Sequence, residues 1–412
     1  MRFIFAFLVL FTAGQSWATS DDWVVPARGN GGSVIIAPKD ATGTAQTLMT
    51  FDPVNGVSGS GFAGKNYIIN GDMTFFQRGT VFTSIVTAQY SVDRYRYDKS
   101  GTMVHEVGLS NDVPTLAQSK WASTNSFNMT LTTPQASIGS SDWLMLSHRV
   151  EGYNWAALYG KTFTLSFWVK ATQIGLYNVA LRSGSVDATY IAQFPVNVTD
   201  TWEKKIITVP APTIGTWDLS TGIGLMIGWH LVCGSSLQAP SVSTWVAGSY
   251  HCGAGQVNGV QSGATNFKLA QVMLNEGSVA APFQLAGGTI GGEQQLVQRY
   301  TYKVSYTGTA NPLAVGFAIS TTAASVMVPF PVTMRVTPTS LMTSAAAADY
   351  RLYDFSSATA VTSLPSLSGN GSSPTMGNVS LICTACGLTA FRPYQLIPNT
   401  SPVAFLLFDA EL

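Results

Sequence analysis

Tyr153-Asn154-Trp155-Ala156-Ala157-Leu158-Tyr159-Gly160-Lys161-Thr162-Phe163-Thr164-Leu165-Ser166-Phe167-Trp168-Val169-Lys170-Ala171 is the stretch whose reading decides the fold. From Thr162 it alternates: Phe163, Leu165, Phe167 and Val169 point one way, and Thr162, Thr164, Ser166 and Lys170 the other. A period of two marks a strand with one buried face. Trp168 places a large ring on the otherwise polar face, where packing under a loop or against a second subunit is its ordinary role. The spacing predicts a core strand of an antiparallel sandwich, with its neighbours in the segments on either side.

Beyond this stretch, 412 residues are enough for two or three domains. Charged residues are 10% of the chain, against ~25% in ordinary soluble domains. Lys plus Arg and Asp plus Glu number 21 each, so the formal net charge is zero. No basic stripe points to nucleic acid, and no acidic run points to cations. The surface is therefore wetted by Ser, Thr, Asn, Gln and Gly, which repel neither a neutral glycan nor another copy of the chain. Recurrent Val, Thr, Ser and Gly without long helical periods predict mainly β structure.

At the start, Arg2 precedes an apolar run and then Ser16-Trp17-Ala18, a small-x-small pattern. The run is too short to span a bilayer. Residues 1–18 read as a secretory signal cut after Ala18, or as a retained hydrophobic docking segment. Four cysteines suit an exported chain. Cys233 and Cys252 bracket one loop-rich stretch, and Cys383 and Cys386 form a C-x-x-C. No second ligand pair has zinc spacing, and no βαβ context supports a redox motif. Local disulfides or buried thiols are the expectation.

Residues 19–64 form a leader with strand-like pieces at Val34-Ile35-Ile36 and Leu48-Met49-Thr50-Phe51, and a linker at Gly56-Val57-Ser58-Gly59-Ser60-Gly61. It has no core of its own, so it is expected to be either flexible or ordered by pairing with other copies of the chain. Tyr90 to Tyr97 reads as an edge or outer-face strand, with Asp93 and Arg94 as a weak surface pair. Strands are predicted at 177–182, 190–197, 202–209, 224–231 and 267–274. Trp229 falls on the core face and His230 opposite, with no catalytic partner in the sequence. Residues 232–264 are a long irregular excursion, a length usually functional or mobile. From Gly291 a new unit begins with a helical turn at Glu293–Tyr302, then strands at 315–320, 324–330, 332–336, 350–355, 379–383 and 402–412. The domain reading is 1–18, 19–64, 65–290 and 291–412.

Few features call for catalysis. A glycan-cleaving pair of carboxylates is not singled out among Asp93, Glu106, Asp112, Asp142, Glu151, Asp187, Glu203, Asp218 and Glu276. No nucleophile elbow and no phosphate-cradling loop is present. Sugar binding, by contrast, needs flat aromatic rings with polar groups beside them. The loop candidates are Trp143, Trp155, Trp217, Trp245 and Tyr250, each with loop packing or a subunit interface as its ordinary role.

Several fragments occur in a telling order: Asn66-Tyr67-Ile68-Ile69-Asn70-Gly71-Asp72, Gln77-Arg78-Gly79, Asp93-Arg94-Tyr95, Arg149-Val150-Glu151-Gly152-Tyr153-Asn154, Leu165 to Lys170, Asp200 to Pro210, Gly222 to Leu225, Gln271 to Leu274, Gly277 to Phe283, Leu296 to Tyr300, Phe330 to Arg335, Ala348-Asp349-Tyr350 and Asp409-Ala410-Glu411-Leu412. Together they resemble a family of bacteriophage tail-fibre and virion receptor-binding proteins. Val297 stands where that family often has Cys. The resemblance implies a jelly-roll β-sandwich similar to carbohydrate-binding modules, followed by a smaller C-terminal β-sandwich domain, assembled on a virion. It also implies a structural calcium at Asp72, a residue that Asn-Gly-Asp otherwise marks as a turn, and no other cofactor. The expected function is a non-enzymatic fibre or spike that binds host surface polysaccharide. Its expected partners are other tail proteins and further copies of itself, as a trimer. The alternatives are a structural connector or decoration protein without a glycan ligand, and a secreted glycan-active enzyme.

Overall fold

The computed structural model describes residues 64–412, except 263–264, 307, 309–310, 385 and 400–402; between 1 and 63 it describes the backbone of four strands. The chain divides into two compact units, 1–64 and 65–412. In the first, β1 (Trp23–Val24), β2 (Val34–Pro38), β3 (Met49–Asp52) and β4 (Gly56–Ser58) form an antiparallel meander in that order. Gly56–Ser58, read from sequence as linker, is thus a strand that pairs with β3. The signal or docking segment 1–18 lies outside the described residues.

The second unit opens with β5 (Val81–Phe82), β6 (Gln89–Tyr90), β7 (Tyr95–Ser100), β8 (Val104–Ser110), the short α1 (Leu116–Ser119), β9 (Ser126–Thr133) and β10 (Trp143–Glu151). After α2 (Gly152–Trp155) come β11 (Phe163–Ala171), β12 (Gly175–Ser183), β13 (Ala188–Val196), β14 (Glu203–Val209), β15 (Ile223–Cys233), β16 (Trp245–Ala247) and β17 (Asn266–Glu276). They make a seven-stranded sheet, β16-β13-β12-β15-β10-β7-β6, and a six-stranded sheet, β14-β11-β17-β9-β8-β5. The sheets face each other across one core, a jelly-roll sandwich. Phe163, Leu165, Phe167 and Val169 of β11 are buried there. The Phe167 ring meets Trp229 of the opposite sheet edge-on at 5.7 Å, an arrangement aromatic pairs favour. Trp229 is core, as its phase in β15 predicts.

The second face of β11 is not polar and wet. Thr164 and Ser166 are buried too, because β14 and β17 flank the strand and the 277–278 turn closes over it; Thr164 donates its hydroxyl to the Gly277 carbonyl at 2.7 Å. Trp168 packs with Trp202 and Ala270 in a small cluster. Tyr95 and Tyr97 of β7 are likewise core, not outer-face residues.

The rest of the chain begins with α3 (Ile290–Gln298). Then follow β18 (Thr301–Ser305), β19 (Ala314–Ala318), β20 (Ala323–Pro329), β21 (Ser340–Thr343), β22 (Tyr350–Tyr353), β23 (Ala358–Ala360), β24 (Ser366–Leu367), β25 (Met376–Ile382), β26 (Pro393–Pro398) and β27 (Phe405–Asp409). A three-stranded sheet, β18-β27-β21, lies against a seven-stranded one, β23-β22-β26-β19-β20-β25-β24, around a second core. The layers approach so closely at Gly377 that a Cβ there would sit 2.3 Å from the Phe408 ring. Residues 332–336 alternate in sequence but form no strand. Met334 turns into this core, while Arg335 donates to the carbonyls of Ala410, Glu411 and Thr221 at 2.8, 2.7 and 2.9 Å.

The sequence fragments that travel together meet where the two sandwiches join. Arg78 contacts Asp93 at 3.1 Å, Asp409 at 2.9 Å and Glu411 at 3.5 Å. Arg94 pairs with Glu411 and lies 3.5 Å from the Tyr300 ring centre. Glu151 receives Arg299 at 2.6 Å and the Tyr300 hydroxyl at 2.6 Å. Gln77 donates to the Thr301 carbonyl at 2.8 Å. Asp93 and Arg94 are therefore not a surface pair: both are buried, and each goes to a different partner.

Candidate functional site

The turn after β10 places Trp155 at the end of α2, and the β14–β15 loop brings Trp217 onto it, ring centres 5.1 Å apart at 36°. Trp245 of β16 meets Trp217 edge-on at 5.4 Å and 88°. Tyr159 stands beside both Trp217, at 6.2 Å and 41°, and Trp155, at 6.4 Å. Below them, Trp155 packs edge-on against Phe163 at 5.4 Å, and Tyr190 packs tilted against Trp245 at 5.4 Å and 54°. The packing is tight by design of the backbone. A Cβ at Gly224 would lie 2.4 Å from the Trp155 Cβ, and one at Gly152 would lie 2.5 Å from the Ser220 nitrogen.

This cluster has a buried floor and an open top. Trp155 is fully buried and Trp245 nearly so; the Trp245 indole N–H donates to the Pro210 carbonyl at 2.9 Å. Both therefore leave the set of ligand-facing rings, because their faces are spent on neighbours. Trp217 is half-buried, its N–H fixed on the Ile214 carbonyl at 2.9 Å. Tyr159 is 42% exposed and Tyr153 60% exposed. The sequence reading passed over both tyrosines. Their signal was their place around the Trp155 turn, six residues apart.

Two carboxylates hold the Trp217 loop. Asp187 accepts the Ser183 hydroxyl at 2.7 Å and the Thr216 amide at 2.9 Å. Asp218 accepts the Ser220 amide at 2.6 Å and its hydroxyl at 2.8 Å. The Ser183 hydrogen bond chiefly holds the Asp187 carboxyl below its ordinary range, and the Ser220 backbone amide does the same for Asp218.

Trp143 and Tyr250 belong elsewhere. Trp143 packs on His251 at 4.6 Å, and Tyr250 precedes His251 in the loop that Cys233 and Cys252 close with a disulfide. Cys383 and Cys386 are also bridged. The loop brings His251 to His230, ring centres 5.0 Å apart, and to Arg182, 3.3 Å from its Nε2. Burial pushes His251 down to about 3 and His230 well below its ordinary value, so both stay neutral.

Asp72 does not fit a calcium ion. Its oxygens accept the Trp121 indole N–H at 2.9 Å and the Ser123 hydroxyl, where calcium asks for about six to eight oxygen ligands. Among the described residues no group of three His, Cys, Asp or Glu is placed to hold a metal ion. Burial instead raises the Asp72 carboxyl to about 6.

No family model matches the chain, and no curated protein matches it. Among solved structures it is similar to a sugar-binding protein from Bacteroides thetaiotaomicron, at 10% identity and a TM-score of 0.31 over 52% of this chain and 100% of that one. It is also similar to the family 11 carbohydrate-binding module of a cellulosomal cellulase from Clostridium thermocellum, at 10% identity and a TM-score of 0.26 over 48% of this chain and 97% of that one. A third is the enzymatically active domain of tailspike protein 4 from bacteriophage CBA120, at 14% identity and a TM-score of 0.28 over 47% of this chain. The match spans only 21% of that chain.

Proposed function

We propose that the chain is a virion fibre or spike protein that adsorbs to host surface glycan through the Tyr159–Trp217 platform and catalyses no reaction. The observation that carries this reading is an exposed Tyr159 beside a half-buried Trp217, both standing on a buried aromatic floor. A pyranose offers an apolar C–H face to such rings, and its hydroxyls need polar groups alongside. Here Thr216, Asp218 and Ser220 stand in the Trp217 loop, and Asp187 reaches it from the β12–β13 turn.

The non-catalytic reading is supported by the electrostatics. Asp187 and Asp218 are both held ionised, so neither stores the proton that a glycosidase acid delivers. The buried carboxyls with raised values, Asp72, Asp93 and Glu293, are occupied by Trp121, Gln77 and the amides of Asn70 and Gly287. The virion reading rests on the ordered fragments that build the joint between the sandwiches. Assembly as a trimer rests on the leader meander, whose outer strands β1 and β4 offer edges to other copies. The test is incubation of the full chain with purified host polysaccharides. Retention of the chain on one of them with no new reducing ends supports the reading; release of oligosaccharide favours an enzyme, and no retention on any favours a structural connector.

A further inference from the structure

The outer face of the C-terminal seven-stranded sheet is apolar and uncovered. Val315 lies directly across from Met327, and Phe317 across from Pro393, all on the side away from the core. Ile319, Phe355 and Phe391 continue this surface at its rim. Exposure runs from 36% at Met327 to 82% at Phe391. Phe355 and Phe391 both occupy the left-handed backbone region, at φ 71° and 63°, which bulky residues seldom adopt. Their turns are tied together by the ion pair of Arg392 with Asp354 at 3.3 Å, and Asp354 is held in turn by the amides of Ser356 and Ser357. The two rings are thus presented to solvent by fixed turns.

We infer that this sheet face is a self-association surface that packs against the same face of a second copy of the chain, separately from any pairing of the leader strands. Three observations select that occupant. First, six large apolar side chains leave on the order of 600 Å² open, taking ~150–200 Å² for each. That is at the upper end for a lone monomer and approaches the ~800 Å² per partner of a stable interface. Second, along the outward rows of β19, β20, β22 and β26 the one formal charge is Arg351. With a chain of zero net charge, two such faces meet without repulsion. Third, two polar side chains of the face, Ser325 and Asn378, are already spent. Ser325 donates to Asn378 at 2.5 Å, and Asn378 to the Asn370 carbonyl at 2.9 Å. These two have no group left for the hydroxyls of a sugar, and the large apolar side chains that dominate the face suit a second apolar sheet. A two-fold contact of this kind is isologous and closes on itself.

Sedimentation equilibrium of the full chain at micromolar concentration tests it, beside the double variant Phe317→Asp, Phe391→Asp, the conservative Phe391→Leu, and a form lacking 19–64. Circular dichroism melts establish that each variant is folded. The expected result is that the wild type associates, Phe391→Leu matches it, the double Asp variant weakens the constant by ~30-fold or more as a hot-spot loss would, and the leader-deleted form still associates. A monomeric wild type overturns the inference. So does a folded double variant that associates normally, or loss of association on removing the leader.

Discussion

Replacing Arg78 with Met should destabilise the joint between the sandwiches by about 3–5 kcal/mol near neutral pH, the usual cost of removing one partner from a buried ion pair. Arg78 is 2% exposed at its side chain and is shared by three carboxylates. Their fates differ. Asp409 is partly exposed and regains water, and Glu411 keeps Arg94. Asp93 is the costly one, since it is fully buried and left only with the amide and side-chain N–H of Gln77. Burial already raises the Asp93 carboxyl, against the pull of Arg78. Without the guanidinium it rises further. A carboxyl whose folded value lies above its unfolded one contributes stability that is lost as pH rises through the folded value. The penalty of Arg78→Met should therefore shrink as pH falls and Asp93 takes up a proton. Urea unfolding followed by circular dichroism at about pH 7 and pH 5 reads both quantities. In an Asp93→Asn background the same substitution should cost less, with a coupling of roughly 1–3 kcal/mol. A loss below about 1 kcal/mol at neutral pH, or one that does not change with pH, would mean that water reaches these charges, and the reasoning would fail.

Asp72 gives a pH signature of its own. Raised from 3.8 to about 6 by burial, it should make the wild type more stable as pH falls from about 7 towards 4, by about 1–3 kcal/mol from this group. Asp72→Asn should stabilise by that amount at neutral pH and converge with the wild type in acid; parallel stability curves would count against it. Removing the Cys233–Cys252 bridge as a double Ser variant closes off a 19-residue loop constraint and should cost about 2–4 kcal/mol. Denaturation with and without reductant checks it, since reductant should lower the wild type by more than the variant, which keeps only the Cys383–Cys386 bridge.

The sandwich was legible where one face alternates. Phe163 to Val169 and Leu225 to Leu231 read directly as strands because their inward residues are uniformly apolar. The strands β8, β9 and β10 escaped that reading. His105, Asn128, Ser147 and His148 interrupt their patterns; Ser147 and His148 find partners far away in sequence, His148 at the Ile69 carbonyl at 3.0 Å, while His105 meets the nearby Tyr97 hydroxyl at 2.9 Å. The same distance hid the joint. Asp93 and Arg94 look like a local pair, yet their partners are 15 and 317 residues away. Of the five aromatic candidates, Trp155, Trp217 and Trp245 do come together, but which ring keeps a free face depends on the α2 turn and the β14–β15 loop, and no spacing encodes that. Tyr159 replaces Trp155 and Trp245 at the open surface for this reason.

The central claim is that ring stacking at the end of the jelly roll holds the glycan. The most direct measurement is the affinity of the full chain for a retained host polysaccharide, as wild type and as Trp217→Ala, across a salt series. Stacking predicts a loss of about 1–3 kcal/mol on truncation and wild-type binding that persists at high salt, where charge–charge attraction is screened. Unchanged affinity in a folded Trp217→Ala protein, or wild-type binding that collapses with salt, would contradict it.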